Sequence, residues 1–267
     1  MNYQDIEVEQ AGRVAVVTLD KPEAGNTLSD STTIEELEAA IGAIQASGEA
    51  SVLILTGRGS IFSAGGNLKA MRARSGMFAG QPADLYENYR NGVQRITRLM
   101  ANLDLVTIAA VNGAAIGAGC DLALMCDLRF AARKARFGQA FVNFGIIPGD
   151  GGAWFLARTV GRHLAADLIF TGRIVDAAEA ERMGLVNEVV EDEQLLARVR
   201  EVAEAIAAKP PLALRLSKRL LNRALELSLP DFLELSASYQ ALLHSTQDHQ
   251  EALAAYFEKR PGVYSGT

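Results

Sequence analysis

The sequence has few of the residues that build disulfide frameworks, metal centres or basic surfaces. It contains two cysteines, Cys120 and Cys126, and three histidines among 267 residues. Two cysteines six positions apart indicate neither a disulfide network nor a zinc site, and two reduced, buried thiols are the simpler interpretation. The 26 basic residues are outnumbered by 32 acidic ones, which gives a net charge of -6. This balance argues against nucleic-acid binding as the main activity, because that activity requires a basic face.

Long apolar runs and targeting signals are also lacking. No apolar stretch reaches the roughly 20 residues that span a bilayer; the run over 105–111 stops at Asn112 and Gly113. The first ten residues are polar and acidic, without a basic region followed by an apolar run, which predicts no secretory signal and a cytoplasmic location. The chain is nevertheless 49% hydrophobic, with 24 glycines, as is typical of a globular protein with one large domain.

Hydrophobic patterning predicts an α/β core followed by a helical region. Apolar runs predict strands over 13–20, 51–56, 105–111 and 128–132. Helical spacing predicts helices over 29–46, 84–103 and 117–125. After Val190 the pattern becomes helical only, with predicted helices over 193–208, 211–227, 231–244 and 247–259. We therefore expect an α/β core over 1–190 and a helical region over 191–267.

Three glycine-rich segments are the clearest candidates for chemistry. They cover 60–71 (SIFSAGGNLKAM), 111–121 (VNGAAIGAGCD) and 145–154 (GIIPGDGGAW). The first two follow predicted strands, where glycine lets a backbone N–H approach a ligand. Two such loops can direct two N–H groups at one oxygen, which is the requirement for an oxyanion hole. Taken singly, each segment is equally well a tight turn.

Nucleotide-binding loops are a poorer interpretation of these glycines. The second segment does not match the G-x-G-x-x-G spacing, and no acidic residue follows in the expected βαβ unit. No G-K-[ST] sequence occurs. A Rossmann oxidoreductase is therefore only a weak alternative.

Taken together, the segments resemble the enoyl-CoA hydratase/isomerase superfamily, which has the crotonase fold. The resemblance is carried by LDKPEAGNTLS, IFSAGGNLKAM, AAVNGAAIGAGCDLALMCDLRFAA, ARFGQAFVNFGIIPGDGGAWFLARTVG, TGRIVDAAEAERMGLVNEVV and EALAAYFEKRPGVYSG, which cover most of the chain in one order. It implies an α/β spiral of ββα units and a C-terminal helical trimerisation region. It also implies a homotrimer or a dimer of trimers. The implied substrate is an acyl-CoA thioester, in which coenzyme A is part of the substrate rather than a permanently bound cofactor, and no metal is implied.

The resemblance also implies roles for individual residues. The two oxyanion N–H groups fall on Gly66 and Ala118. The residues that fall on the coenzyme A site are Lys21, Ala24, Ala64, Asn67, Leu68, Lys69, Tyr256 and Lys259, the last two reaching a neighbouring subunit's site in some members. The implied substrate pocket contains Gly117, Phe141, Pro148 and Trp154, and the segment containing Met71, Met77 and Phe78 is expected to form a mobile loop over the acyl chain.

The acid and base positions depart from the family pattern. Hydratases of this family use two glutamates; here Asp121 stands at the first position and Phe141 at the second. Asp150 lies one position after the place where some isomerases carry a carboxylate, here Gly149. Asp150 would equally serve as a helix cap, and Asp121 as a polar residue in a first helical turn.

These departures favour one reaction over its rivals. A single base, Asp150 or Asp121, can move a proton between two carbons of an enolate without water, so we expect double-bond isomerisation. Hydration that uses both aspartates is the nearest alternative. A catalytically silent acyl-CoA-binding protein is another, because both glutamates are replaced.

Overall fold

The computed structural model describes residues 3–267, which form two β-sheets surrounded by helices. The strands are β1 (Ile6–Ala11), β2 (Val14–Leu19), β3 (Val52–Gly57), β4 (Ile61–Ser63), β5 (Val106–Val111), β6 (Ala114–Ile116), β7 (Leu128–Ala132), β8 (Arg136–Gly138), β9 (Ile174–Asp176) and β10 (Glu188–Val190). The helices are α1 (Ser31–Ser47), α2 (Leu68–Ala73), α3 (Pro82–Asn91), α4 (Gln94–Ala101), α5 (Ala118–Leu124), α6 (Gly152–Thr171), α7 (Ala177–Arg182), α8 (Leu195–Ala207), α9 (Pro211–Arg223), α10 (Leu229–His244) and α11 (Gln247–Glu258). Short 3-10 turns lie at Pro22–Ala24, Gly76–Phe78, Ala140–Phe144 and Asp192–Gln194.

The two sheets are built from a repeated pair of strands. The larger sheet has the order β1-β2-β3-β5-β7-β10, and only its β1–β2 pair is antiparallel. The smaller sheet has the order β4-β6-β8-β9. Each of β3, β5 and β7 continues within a few residues into a short strand of the smaller sheet. The chain therefore repeats a ββ unit followed by helix, and the turns after the short strands all meet beside the smaller sheet.

Both faces of the larger sheet are buried. Leu53 belongs to the core cluster that includes Ile41 of α1, whereas its neighbour Ile54 belongs to the cluster that includes Val199 of α8. Successive residues of a strand point to opposite faces, so a strand covered on both sides must be apolar throughout. This explains why the run over 51–56 is almost continuously hydrophobic.

The C-terminal region is helical, as its spacing predicts, but its first helix packs on the core. Leu195, Val199 and Ala203 of α8 lie in the buried cluster on one face of the larger sheet. The predicted boundary between 190 and 191 therefore separates the sheet from a helix that covers it. Helices α9, α10 and α11 follow outside this layer. Among residues 3–267, no helix has the length and apolarity that a membrane span requires.

The helix predicted over 84–103 is two helices, α3 and α4. Gly92, between them, has φ -106° and ψ -116°, which no α-helix contains. Its apolar spacing continues across the break, so periodicity alone did not reveal the interruption. The bend matters for function because it turns both helices toward the third glycine-rich segment.

Sequence patterning also missed two strands of the larger sheet, β1 and β10, and the short strands of the smaller one. Strand β1 is polar because it lies at the sheet edge, pairing with β2 from Ile6↔Leu19 to Ala11↔Val14. Strands β4, β6, β8 and β9 have only three residues each. Runs of that length are too short to show an alternation of polar and apolar residues.

Candidate active site

The first two glycine-rich segments meet at the end of the smaller sheet. Gly65 has φ +78°, and a Cβ atom there would lie 2.5 Å from the carbonyl oxygen of Ile116 and 2.8 Å from the amide nitrogen of Ala118. Only glycine allows this approach. The close packing places Gly66 and Ala118 side by side in the lining of one cavity.

A third segment of the chain fixes the first loop in this position. The amide of Leu28 donates to the carbonyl of Gly65 at 2.8 Å, and the amide of Ala64 donates to the carbonyl of Gly25 at 2.8 Å. The amide of Asn67 donates to the hydroxyl oxygen of Ser29 at 2.9 Å. These hydrogen bonds of the segment 25–29 therefore fix the position of the loop that precedes α2.

The second loop is held from its other side. Gly117 has φ +55°, and its amide donates to the carbonyl of Gly138 in β8 at 2.8 Å. A Cβ on Gly119 would clash with the backbone of Ser63 in β4. Helix α5 thus begins against two strands of the smaller sheet, and Ala118 is its first residue.

The cavity between the loops is narrow and mostly apolar. It has a volume of about 30 Å³. Its apolar side chains are Leu28, Met71, Met77, Phe78, Val93 and Phe141, and its polar ones are Ser29, Tyr89 and Asp150. Met71, Met77 and Phe78 come from α2 and the 3-10 turn after it, and all three line the cavity.

Two carboxyl groups, those of Asp121 and Asp150, pair in the interior beside this cavity. Asp121 is fully buried on α5, and Asp150 is 3% exposed, just before α6. Only Asp150 reaches the cavity wall. The side-chain amide of Gln139 donates to Asp121 Oδ1. Apart from the contact between the two carboxyl groups and one between Asp150 and its own backbone, Asp121 Oδ2 and both Asp150 oxygens have no hydrogen-bond partner among the described residues.

Burial changes the acidity of both groups. It raises the pKa of Asp121 well above its ordinary value, and the charge of Asp150 and a hydrogen bond with it raise that pKa further. Burial also raises the pKa of Asp150, although its hydrogen bond with Asp121 acts in the opposite direction. Asp121 therefore holds its proton strongly in the folded chain.

The structure decides against a capping role for Asp150. Helix α6 begins at Gly152 with Gly151 as its N-cap, at φ +105°, and no side chain caps it. Helix α4 instead holds the backbone at Gly149 and Asp150. The hydroxyl of Thr97 donates to the carbonyl of Asp150 at 2.6 Å, and the side-chain amide of Gln94 donates to the carbonyl of Gly149 at 2.8 Å. Gly152 is required because a Cβ there would clash with the carboxylate of Asp121.

Phe141 and two further residues complete the surroundings of the acid pair. The ring of Phe141 lines the cavity, and a Cβ on Gly117 would lie 3.5 Å from it. No sequence pattern identified Gln139 or Tyr89 as a site residue. Tyr89 lies within the helix predicted over 84–103, four residues before Val93. Burial raises the pKa of the Tyr89 phenol, and the charge of Asp150 raises it further.

The residues predicted to contact coenzyme A fall into two groups. Ala64 and the start of α2 (Leu68 and Lys69) form an exposed rim beside the 3-10 turn that ends at Ala24. Asn67 caps α2 by accepting from the amides of Lys69 and Ala70. Lys21 is occupied by ion pairs with Asp5 at 3.1 Å and Asp30 at 3.4 Å.

Four other predicted residues lie elsewhere in the chain. Tyr256 and Lys259 are exposed at the C-terminal end of α11, outside the cavity lining. Pro148 and Trp154 are also outside that lining. Trp154 is 46% exposed, and the guanidinium of Arg158 stacks on its ring at 3.7 Å. Within one chain, therefore, these four do not contribute to the pocket.

Comparisons with known proteins agree over the whole chain. A family model described as enoyl-CoA hydratase/isomerase matches residues 9–267. The short-chain-enoyl-CoA hydratase of Clostridium acetobutylicum and the crotonyl-CoA hydratase of Syntrophomonas wolfei are each 38% identical over 261 residues, which is 97% of both chains. The structure of an enoyl-CoA hydratase from Bacillus anthracis superposes with a TM-score of 0.92 at 32% identity, covering 99% of this chain and 100% of that one. These likenesses confirm the predicted crotonase-like α/β fold.

Proposed function

The chain belongs to the enoyl-CoA hydratase/isomerase family, and we propose that this enzyme isomerises the double bond of enoyl-CoA thioesters through one carboxylate. The observation that carries the proposal is the arrangement of the acid pair. Asp150 alone reaches the cavity wall, Asp121 lies behind it, and Phe141 occupies the position of the second family glutamate. One accessible base is sufficient for a proton shift along an enolate.

In the proposed reaction, the two loops bind the thioester oxygen. Gly66 and Ala118 line the same cavity, and Ala118 is the first residue of α5, which supports their amides as the donors. Backbone donors in this position stabilise the negative charge that develops on the oxygen when the α-proton leaves. Loss of one such donor typically lowers the rate by ~10²–10³.

Asp150 then moves the proton between carbons. Its carboxylate takes a proton from C2 of a 3-enoyl thioester, and the electrons of that C–H bond delocalise over C2, C3, C4 and the thioester oxygen. The same carboxyl group returns the proton to C4, which leaves a 2-enoyl thioester. No water is consumed, and the carboxylate is regenerated. The raised pKa of buried Asp150 suits a base for a weakly acidic C–H bond.

The coenzyme A portion is proposed to lie along the rim beside the first loop. The exposed side chain of Lys69 is available for a phosphate, whereas Lys21 is held by two carboxylates. The small side chains of Ala24 and Ala64 leave room beside them for a flat part of coenzyme A. Tyr256 and Lys259 would join this site only from another subunit.

Hydration is the second candidate, and one observation favours it. Asp121 and Asp150 are two carboxyl groups in direct contact, so they could hold a water molecule between the pair and the substrate. Relatives that are 38% identical are named hydratases. Hydration would require Asp121 to reach the cavity, from which it is separated in this structure.

The deciding experiment is mass spectrometry of acyl-CoA thioesters incubated with the enzyme in D₂O. The panel contains saturated, 2-enoyl and 3-enoyl esters. Isomerisation predicts deuterium on the acyl chain and interconversion of the 2- and 3-enoyl esters. Addition of water to a 2-enoyl ester would establish hydration instead. Tight binding without exchange on any ester would indicate a catalytically silent protein.

The Asp150→Asn variant tests the assignment of the base. We expect it to lose exchange by ~10²–10⁴, the usual contribution of a general base, while acyl-CoA affinity stays within a few-fold. Asp121→Asn is the matched comparison, because it changes the neighbouring acid without removing the proposed base. It should retain measurable exchange. Full activity of Asp150→Asn, or complete loss in Asp121→Asn alone, would transfer the role of base to Asp121.

A further inference from the structure

We propose that Tyr89 is a positioning residue for Asp150, donating a hydrogen bond to its carboxylate when an acyl group closes the cavity. The inference rests on the proposed function, since it assigns a partner to the base named there. Tyr89 lies on α3, outside all three glycine-rich segments and outside every motif that carries the family resemblance.

Tyr89 and Asp150 both belong to the lining of the cavity, and the Tyr89 ring contacts the Asp150 segment. The Tyr89 ring lies against the residue that precedes Asp150: a Cβ on Gly149 would be 3.2 Å from Tyr89 Cε1. Hydrogen bonds from Gln94 and Thr97 attach the backbone of this same segment to α4. Helices α3 and α4 therefore hold Tyr89 and Asp150 in a fixed relation.

The carboxylate lacks the donors that a buried negative charge requires. Asp150 is 3% exposed, and apart from the contact with Asp121 and one with its own backbone, its two oxygens accept no hydrogen bond from the described residues. The donor from Gln139 goes to Asp121 instead. An uncompensated buried charge is costly, so an additional donor stabilises the ionised form.

Tyr89 is the side chain best placed to supply that donor. The other polar side chain of the cavity, Ser29, contacts the loop before α2, where its hydroxyl oxygen accepts from the backbone amide of Asn67, whereas the Tyr89 ring contacts the residue before Asp150. The groups whose charge is coupled to the acid pair are Tyr89 from α3 and the buried thiol of Cys120 from α5, with neutral Gln139 and Thr97 beside them. None of these is a cation.

The phenol remains a donor through neutral pH. Burial and the negative charge of Asp150 both raise the pKa of Tyr89, so its proton stays in place. A neutral O–H can approach the carboxylate without charge repulsion. Such bonds are often long in the free enzyme and shorten when substrate excludes water. Removal of this donor should raise the pKa of Asp150, because the ionised form would lose a favourable interaction.

The first test is the pH dependence of acyl-chain proton exchange in Tyr89→Phe, with Tyr86→Phe as its control. Phenylalanine keeps the ring packing, and Tyr86 lies on the same helix but is 64% exposed. We expect Tyr89→Phe to exchange about ten-fold more slowly, with its acidic limb moved up by about one pH unit and with an almost unchanged KM. Tyr86→Phe should match the parent enzyme. An acidic limb that does not move in Tyr89→Phe would overturn the proposal.

A second measurement does not depend on catalysis. The ultraviolet titration of the Tyr89 phenol is obtained as the difference between the titrations of the parent protein and of Tyr89→Phe. It is then repeated in the Asp150→Asn background, where we expect the phenol to titrate at lower pH because the neighbouring negative charge is gone. An unchanged phenol titration would refute the pairing. A lowered phenol titration, together with a parent enzyme that shows no exchange, would support the pairing while refuting the proposed isomerisation.

Discussion

Asp121 and Asp150 lie in an interior position that most folds fill with apolar side chains. The ordinary pKa of each group is near 3.8, and burial raises both in the folded chain. The folded protein therefore binds protons more tightly than the unfolded chain does. By linkage, the pair favours folding most below about pH 3.8, and this contribution is lost as the pH rises through the raised values. The acid pair thus lowers stability at neutral pH.

Asp121→Asn should stabilise the protein at neutral pH. Asparagine has the same shape, still accepts from Gln139 through its oxygen, and does not ionise. We expect a gain of about 1–3 kcal/mol at pH 7, which raises Tm by about 2–4 °C for each kcal/mol. Thermal unfolding followed by circular dichroism from pH 4 to pH 8 measures this gain.

The same variant at low pH is its own control. Toward pH 4 the carboxyl groups become protonated in the unfolded chain as well as in the folded one, so the difference in Tm should shrink. A gain that is independent of pH, or a loss of stability at pH 7, would contradict the assignment of a raised pKa to Asp121.

The two glycine-rich loops function only as a joined pair of elements. The turn after β4 and the start of α5 approach so closely that Gly65 touches both Ile116 and Ala118. The positions of the Gly66 and Ala118 amides therefore depend on that contact. Neither loop alone determines the distance between them.

Gly65→Ala should disrupt this arrangement. The added methyl would meet the carbonyl of Ile116 and the amide of Ala118, and the backbone at φ +78° disfavours any side chain. We expect kcat to fall by at least ~10²–10³, the effect of losing an oxyanion donor. Rates of acyl-chain proton exchange measure the loss.

Gly12→Ala is the matched control for backbone strain. Gly12 has φ +55°, but a Cβ there would have no neighbour within 4 Å. This variant should lose some stability, about 1–2 kcal/mol for the left-handed conformation, and keep its activity. Equal activities of the two variants would mean that the loop contact does not position the amides.

The C-terminal region, from α9 onward, exposes many large apolar side chains. Its most exposed large side chains are Leu221, Leu225, Leu229, Tyr256 and Phe257, each more than 65% exposed. A groove of about 410 Å³ also opens between α9 and α10. Contiguous apolar patches of this kind usually mark interaction surfaces. A second copy of the chain is the occupant that the family resemblance implies.

We predict a trimer, or a dimer of trimers, that depends on this surface. Leu225→Glu and Phe257→Glu each place a charge in it and should shift the assembly toward monomers. Size-exclusion chromatography with light scattering measures the mass. Leu196→Glu, on α8 and 42% exposed, is the control and should leave the mass unchanged. A monomeric parent protein, or one whose mass is insensitive to both substitutions, would contradict the prediction.

Much of the fold and half of the site follow from local patterns in the chain. The apolar runs of β2, β3, β5 and β7, and the helical spacing of α8 to α11, can be recognised in the sequence without knowledge of tertiary contacts. The three glycine-rich segments are equally local, because positive φ and close approach require glycine at particular positions. Their order along the chain was sufficient to indicate the family.

Contacts between residues far apart in the sequence could not be predicted from local patterns. Whether Asp150 caps a helix or pairs with Asp121 depends on how α5 and α6 pack, and that packing is possible only because Gly152 has no side chain. Tyr89 is indistinguishable from other members of an apolar helix face until α3 is placed against Gly149. Local propensity reports backbone conformation and the burial of one face. The identity of the neighbour on that face, and therefore the acidity of a carboxyl group, is set only when the whole chain has packed.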